Sequence, residues 1–259
     1  MNTISKFKTA EEAVKIVKSG DRIYLHGSAA TPHTLIKALG QRSLELENVE
    51  IVSISTLGEM CLAEPGCGDA FHFNSVFVSQ NIRQAVNNGM GNYIPVFLSE
   101  IPGLFHKKIL PIDVAMINIS PPDRHGFCSL GVSVDVAVAA VKNAKYVIAQ
   151  VNSRMPRTHG DGLLHINDIH AMVEVADELP EVDYRKHFTH IEEAIGKHCA
   201  SLIEDGATLQ LGIGTIPDAV LQQLTGFNHQ GRCQVFGRVK LLPVPRLREL
   251  LQALREWLE

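Results

Sequence analysis

The 259-residue sequence has none of the short patterns that usually indicate a bound metal or nucleotide. It contains no Cys-x-x-Cys pair and no His-Glu-x-x-His, despite five cysteines and twelve histidines, so no zinc site is predicted. It also contains no Gly-x-Gly-x-x-Gly and no Gly-Lys-Ser/Thr, which argues against a dinucleotide or P-loop ligand. We therefore expect no metal and no permanently bound cofactor.

Long hydrophobic runs and an excess of one charge are missing as well. No stretch approaches the roughly 20 apolar residues of a membrane span. The net charge is −4 and the isoelectric point is near 6.3, so there is no basic field for nucleic acid. Residues 1–8 lack an apolar leader, and the odd number of cysteines fits reduced thiols. These absences favour a cytoplasmic protein with no membrane or nucleic-acid partner.

What the sequence does contain is an alternation of strand and helix signals. Thr9 and Glu12 form a capping box for a helix over 9–19. Short apolar, β-branched runs predict strands at 22–25, 49–55, 71–78, 93–97, 112–119, 146–151 and 171–175. The run at 112–119 is nearly all apolar, as in a strand buried on both faces. The sequence predicts an α/β fold with a mostly parallel sheet and flanking helices.

Polar loops follow several of these strands, at 27–32, 79–81, 120–126, 152–161 and 212–217. Because ligands bind beyond the carboxyl ends of parallel strands, we expect several of these loops to share one rim.

The segment 207–221 has the clearest functional pattern. An apolar run leads to Gly212 and Gly214, and Pro217 and Asp218 suit the first turn of a helix. The main chain of such a turn can approach an anionic ligand closely. A plain strand-to-helix turn is an equally good interpretation of these residues by themselves.

Other polar or reactive side chains have a structural interpretation that leads over the functional one. Ser79, Gln80 and Asn81 are predicted to cap a helix, and Cys128 to be a packed thiol rather than a nucleophile. Asp123 and His125 are predicted to be solvated loop residues, and His159 and Asp161 to hold neighbouring loops by hydrogen bonds. Surface ion pairs are favoured for Arg83 and Arg157.

Four stretches in order along the chain resemble the acetyl-CoA hydrolase/transferase family. They are 95–102 (PVFLSEIP), 120–133 (SPPDRHGFCSLGVS), 155–161 (MPRTHGD) and 207–221 (ATLQLGIGTIPDAVL). The resemblance implies two similar α/β domains. It assigns 1–185 to the N-terminal CoA-transferase domain and 186–226 to the start of the C-terminal one, so that the second domain is only begun. Residues 227–259 form a divergent tail, in which six basic residues face three acidic ones.

The resemblance also implies an activity. The family's members transfer CoA between an acyl-CoA and a short-chain carboxylate such as acetate, butyrate or 4-hydroxybutyrate, and form homo-oligomers. In the mechanism that the resemblance implies, a glutamate carboxylate attacks the acyl-CoA thioester and gives an acyl-glutamyl anhydride and CoA thiolate. The thiolate attacks the glutamyl carbonyl of the anhydride, which releases the first acid and leaves a glutamyl-CoA thioester. A second carboxylic acid then takes the CoA. The family's CoA-contacting loop falls on Gly212, Ile213, Gly214, Thr215 and Ile216. CoA or acyl-CoA is thus expected as a substrate.

The sequence departs from the family where the glutamate is expected. Counted without gaps, that position is Val235, and no acidic residue occurs between Asp218 and Glu249. No catalytic residue is therefore assigned, and the chain alone is not expected to be a competent transferase. Our hypothesis is that residues from about Gln230 are translated out of frame and that the chain is truncated. A non-catalytic CoA-binding or regulatory protein, and a fragment without function, remain alternatives.

Overall fold

The computed structural model describes residues 6–181, 188–203, 208–212, 214–224, 232–235 and 242–243. The chain forms two compact units, Met1–Pro180 and Glu181–Glu259. Among the described residues, no helix combines the length and apolar character that a bilayer crossing requires. Nor do those residues bring together three His, Cys, Asp or Glu side chains that could hold a metal ion.

The first unit alternates strands and helices. Its strands are β1 (Arg22–Leu25), β2 (Val49–Ser53), β3 (Phe71–Ser75), β4 (Gly91–Tyr93), β5 (Val114–Ile119), β6 (Phe127–Ser129), β7 (Tyr146–Asn152), β8 (Leu163–His165) and β9 (Ala171–Val175). Its α-helices are α1 (Ala10–Ala13), α2 (His33–Gly40), α3 (Arg83–Ala85), α4 (Ile101–His106) and α5 (Ala137–Asn143). The Thr9–Glu12 capping box is present, but the helix it starts is only one turn long and continues as a 3₁₀ turn, Val14–Ile16.

Seven strands form a parallel sheet in the order β4-β3-β2-β1-β5-β7-β9. All six residues of β5 are buried, as its apolar sequence predicts. One face of the sheet packs on α1 and α2, and the other on α4 and α5. The prediction of an α/β fold with a mostly parallel sheet is confirmed. The strand order reverses between β1 and β5, which is where open sheets of this kind form a crevice.

The strand predicted at 93–97 is wrong. The observed strand, β4, ends at Tyr93, which lies opposite the last residue of β3, Ser75. Beyond this pair no neighbouring strand remains, and Pro95 has no N–H to donate to a sheet. The small antiparallel pair of β6 and β8 went unpredicted, because three-residue strands leave too little periodicity to read.

The second unit begins with α6 (His190–Ser201), which Thr189 caps through a second capping box with Glu192. Strand β10 (Thr208–Leu211) and helix α7 (Thr215–Leu224) follow. Two further strands, β11 (Arg232–Val235) and β12 (Leu242–Pro243), complete a three-stranded sheet in the order β10-β11-β12. Beyond these two strands, the tail from Phe227 onwards lies outside the described residues.

The sequence of the tail shows no clear continuation of the strand–helix alternation, but the structure continues it by one unit. Strand β11 pairs in parallel with β10 across α7, so one more β–α–β unit is formed. The tail's high content of basic residues obscured this pattern, because charge says little about a four-residue strand.

Candidate active site

The loop between β10 and α7 has the geometry of a sharp strand-to-helix turn. Leu211 ends the strand, Gly214 has a φ of +134°, and Thr215 opens the helix. A φ in this range is strained for any residue with a side chain, so Gly214 is required by the backbone path. Asp218 donates its N–H to the Gly214 carbonyl oxygen at 3.2 Å, which closes the first helical turn.

Four members of the predicted CoA loop, Gly212, Gly214, Thr215 and Ile216, are described and lie at the N-terminus of α7. Gly212 is exposed, and the Ile216 side chain is 44% exposed. Ile213 lies outside the described residues. The first N–H groups of a helix have no intrahelical acceptor and carry its positive dipole end. This loop therefore presents main-chain donors beside an exposed apolar side chain.

Close packing of α6 on α7 holds the helix that follows the loop. A Cβ atom at Gly196 of α6 would lie 2.7 Å from the carbonyl oxygen of Ala219 in α7. Ala200, Val220 and Leu224 form the buried cluster between the two helices. The helices meet backbone to backbone, which fixes the position of α7 and hence of the loop at its start.

Val235, the position expected for the family's glutamate, ends β11. It lies opposite Leu211, the last residue before the loop. In a parallel pair both residues are at the carboxyl ends of their strands. A valine side chain has no oxygen or nitrogen, so it can neither attack a thioester nor donate a proton.

In the first unit, the loops after β1, β2 and β3 are joined by hydrogen bonds at the carboxyl edge of the sheet. The N–H of Ser28, a residue with a φ of +52°, donates to the Ser55 carbonyl oxygen at 2.6 Å. The Thr31 hydroxyl donates to the Ser28 carbonyl oxygen at 2.7 Å and accepts the N–H of Leu57 at 3.2 Å. The predicted loop 27–32 is therefore a fixed turn rather than a free one.

The prediction that Ser79, Gln80 and Asn81 cap a helix is wrong. Helix α3 begins at Arg83, and its N-cap, Ile82, makes no side-chain cap. The hydroxyls of Ser79 and Thr56 instead donate to Asn81 Oδ1 at 2.7 and 3.1 Å. Thr56 follows β2 and offers a partner that local sequence could not reveal.

The loops after β5 and β7 are also brought together. The Arg157 guanidinium forms an ion pair with Asp123 at 2.8 Å and donates to the Phe127 carbonyl oxygen at 2.8 Å. The N–H groups of Phe127 and His125, together with Arg157, hold the pKa of Asp123 below its usual value. The ion pair predicted for Arg157 is confirmed, whereas Asp123 holds the two loops together instead of being a solvated loop residue. His159 and Asp161 are exposed in the same loop.

Cys128 is a packed thiol, as predicted. It is fully buried in β6, and burial raises its pKa to about 11. The thiolate that a nucleophile requires is therefore scarce near neutral pH.

A buried polar layer near the carboxyl ends of the strands escaped sequence reasoning. Gln150 and Asn152 of β7 are buried, and both side chains bond to Asp177, the first through Asp177 Oδ2 at 2.8 Å. The same carboxylate oxygen accepts the Thr34 hydroxyl at 2.6 Å. Asn118 of β5 is also buried, with no partner for its Oδ1 in the described part of the chain. The feature of the sequence that could have indicated this layer is a polar residue near the end of an otherwise apolar strand.

His26, directly after β1, links this layer to the loop before α5. Its Nδ1 accepts the N–H of Asn118 at 3.2 Å, so the ring proton lies on Nε2, which faces the Ser133 carbonyl oxygen at 2.5 Å. Burial lowers the pKa of His26, and the Asp135 carboxylate only partly opposes this. A protonated ring would lose its bond to Asn118.

We expect the free energy of unfolding to fall as the pH drops from about 7 to about 5. The folded-state pKa of His26 is depressed, so its contribution is present above the unfolded pKa of about 6.5 and is lost below it. Urea titrations at several pH values would measure this. Burial also lowers the pKa of His33, so His26→Leu should flatten the slope without removing it. An unchanged slope in that variant would contradict the assignment.

The comparisons with known proteins agree with this architecture. Residues 3–184 match the model of the acetyl-CoA hydrolase/transferase N-terminal domain. The chain belongs to the acetyl-CoA hydrolase/transferase family. Both its sequence and its fold are similar to those of CoA-transferases.

Two relatives in this family are similar in sequence. The 4-hydroxybutyrate coenzyme A transferase of Clostridium kluyveri is 45% identical over 216 residues, 83% of this chain and 50% of the relative. The butyryl-CoA:acetate CoA-transferase of Anaerostipes caccae is 36% identical over 219 residues, 83% of this chain and 49% of the relative.

Solved structures of the family are similar in fold. A 4-hydroxybutyrate CoA-transferase from Porphyromonas gingivalis superimposes with a TM-score of 0.74 at 34% identity, covering 88% of this chain and 52% of that one. RipA from Yersinia pestis gives a TM-score of 0.81 at 29% identity, covering 91% and 57%. The chain thus spans about half the length of the curated relatives it matches.

Proposed function

We propose that this chain carries the N-terminal domain and the CoA loop of an acyl-CoA:carboxylate CoA-transferase for short-chain acids. Acetate, butyrate and 4-hydroxybutyrate are the proposed acids, which the names of the relatives support. The observation that carries the proposal is the Gly212–Gly214 turn ahead of α7, in a chain of this family.

The chemistry of the loop suits CoA. The phosphates of CoA are anionic, and the N–H groups of Thr215 and Ile216, together with the dipole of the α7 N-terminus, favour an anion. Glycine at 212 and 214 lets the ligand approach the main chain, since a Cβ at either position would meet nothing closer than Pro217, at 3.9 and 4.0 Å. CoA enters and leaves as a substrate in this proposal, and no permanent cofactor is involved.

The proposed domain organisation follows the family. Residues 1–185 form the N-terminal CoA-transferase domain, 186–226 begin the C-terminal domain, and 227–259 are the divergent tail. The proposed setting is cytoplasmic, as a homo-oligomer, with no membrane or nucleic-acid partner.

A second candidate function, CoA binding without catalysis, is favoured by one observation. Val235 stands where the glutamate is expected, and it lies beside the end of β10. In this alternative the chain binds CoA saturably and transfers nothing.

Replacing Gly214 by valine tests the CoA loop. We expect Gly214→Val to weaken CoA binding at least tenfold, about 1.4 kcal/mol, because valine cannot adopt a φ of +134° without moving the loop. Isothermal titration of CoA into the purified chain measures the change.

The matched control is Leu202→Ala, which removes an 82% exposed side chain elsewhere in the same unit. It should leave the CoA affinity unchanged. Amide exchange at Ala219 and Val220 shows whether α7 remains folded in Gly214→Val. Equal CoA affinity in the two variants, with α7 intact, would rule the loop out as the CoA site.

A further inference from the structure

A cavity of about 480 Å³ is lined by the segment that connects β2 to β3 and by the segment that connects β3 to β4. One wall comes from the segment after β2, including Met60 and Glu64, and the other from the segment after β3, including Asn81 and Met90. Its volume lies in the range of small-molecule sites.

The wall after β3 includes the turn that follows α3. Residues Val86–Met90 lead out of this helix, and Gly89, with a φ of +90°, ends it in the left-handed conformation that is common after helices. The turn carries Asn88 and Met90 to the cavity, whereas the neighbouring Asn87 does not line it.

Asn81 is held in one orientation at the cavity wall. Its Oδ1 accepts the hydroxyls of Thr56 and Ser79, and its Nδ2 donates to the Gly58 carbonyl oxygen at 3.0 Å. An asparagine amide has two hydrogens, so one donor of Asn81 remains for a ligand. A rigid donor of this kind selects a carbonyl or hydroxyl oxygen.

The remaining lining is amide-rich and has no positive charge. Gln84 and Asn88 add two further carboxamides, and Glu64 is the one charged lining residue. An anionic carboxylate or phosphate would find no cation here and would be repelled by Glu64. Met60 and Met90 offer adaptable apolar surface for an alkyl segment.

We propose that this cavity binds an uncharged secondary amide with a short alkyl segment, of the type found in the pantetheine arm of CoA. The carboxamides pair with the ligand's amides, and the methionines pack on its alkyl carbons. The choice of pantetheine rests on the proposed function, whereas the preference for an uncharged amide follows from the lining.

Methionine-methyl NMR on the full chain tests the proposal. Reduced pantetheine is titrated into protein labelled at the methionine methyl groups, and Met60→Leu and Met90→Leu assign the two cavity signals. We expect Met60 and Met90 to shift saturably while the core residues Met116 and Met172 do not. Butyrate and adenosine 3′,5′-bisphosphate, which are charged, should leave all four signals in place.

Two adjacent asparagines provide a matched pair of variants. Asn88→Leu removes a lining carboxamide and should weaken pantetheine binding at least fivefold, whereas Asn87→Leu should change it less than twofold. Gln84→Leu gives a second lining variant with the same expectation as Asn88→Leu. Unmoved Met60 and Met90 signals, or equal effects of Asn87→Leu and Asn88→Leu, would overturn the proposal.

Parallel titration with CoA separates this inference from the proposed function. If CoA binds through the loop while Met60 and Met90 ignore pantetheine, the cavity proposal fails and the function stands. If pantetheine shifts both methionines but CoA affinity does not depend on Gly214, the cavity proposal stands and the CoA loop assignment fails.

Discussion

The purified chain should exchange CoA between acetyl-CoA and butyrate about 10⁴-fold or more slowly than a full-length transferase of the family. The reason is chemical. The resemblance to the family implies a glutamate nucleophile, and Val235 stands at the position expected for it. The exchange is measured by chromatography of the two acyl-CoA species, with protein prepared from a host that lacks its own transferases. The Clostridium kluyveri relative, assayed in parallel, is the positive control.

A second measurement tests the same prediction without relying on reaction rates. After incubation with acetyl-CoA, intact-mass spectrometry should show no covalent CoA adduct on this chain, whereas the full-length relative should accumulate a glutamyl-CoA thioester. Sustained exchange by the purified chain, or a CoA adduct on one of its glutamates, would refute the assignment of Val235. Saturable CoA binding with neither exchange nor adduct would favour the non-catalytic alternative.

Gly131→Ala should lower the free energy of unfolding by about 2–5 kcal/mol, the largest stability effect we expect. Alanine at a φ of +64° costs about 1–2 kcal/mol. In addition, its Cβ would clash with Sδ of the buried Met155 and would lie 3.3 Å from the Pro156 carbonyl oxygen. Overpacking of this kind costs roughly 1–3 kcal/mol more. Urea denaturation followed by circular dichroism gives the value.

Gly20→Ala is the matched control for this prediction. Gly20 has a similar φ of +79°, but a Cβ there would meet no atom within 4 Å. It should therefore show only the backbone cost, about 1–2 kcal/mol. The difference between the two variants isolates the contact with Met155. Equal destabilisation of both would show that the loop around Gly131 relaxes freely.

Local sequence predicted those elements whose stability depends on their own residues. Strands β1 and β9 were predicted at their observed bounds, and the buried β5 followed from its apolar run. The capping box predicted at Thr9 depends only on residues three apart. The strand at 93–97 failed because a strand also needs a neighbour, and β3 ends too early to supply one.

The candidate site divides in the same way. The glycine turn before α7 depends on consecutive residues, so local sequence could predict it. The lack of an acidic residue at position 235 can likewise be seen in the sequence alone. By contrast, the hydrogen bonds of Asn81, Asp177 and His26 each join segments that are far apart in sequence. A hydroxyl or amide at such a position looks the same in sequence whether it caps a helix, binds a ligand or bonds to a distant loop.

The sequence by itself determined the α/β class, the family and the absence of an acid between Asp218 and Glu249, since these depend on periodicity, motif order and residue type. Only the tertiary structure decided the strand order and its reversal between β1 and β5. It alone also revealed the amide-lined cavity and the pairing of β11 with β10. These features arise when residues distant in sequence come within hydrogen-bonding or van der Waals distance, and no local pattern specifies which partner a residue will meet.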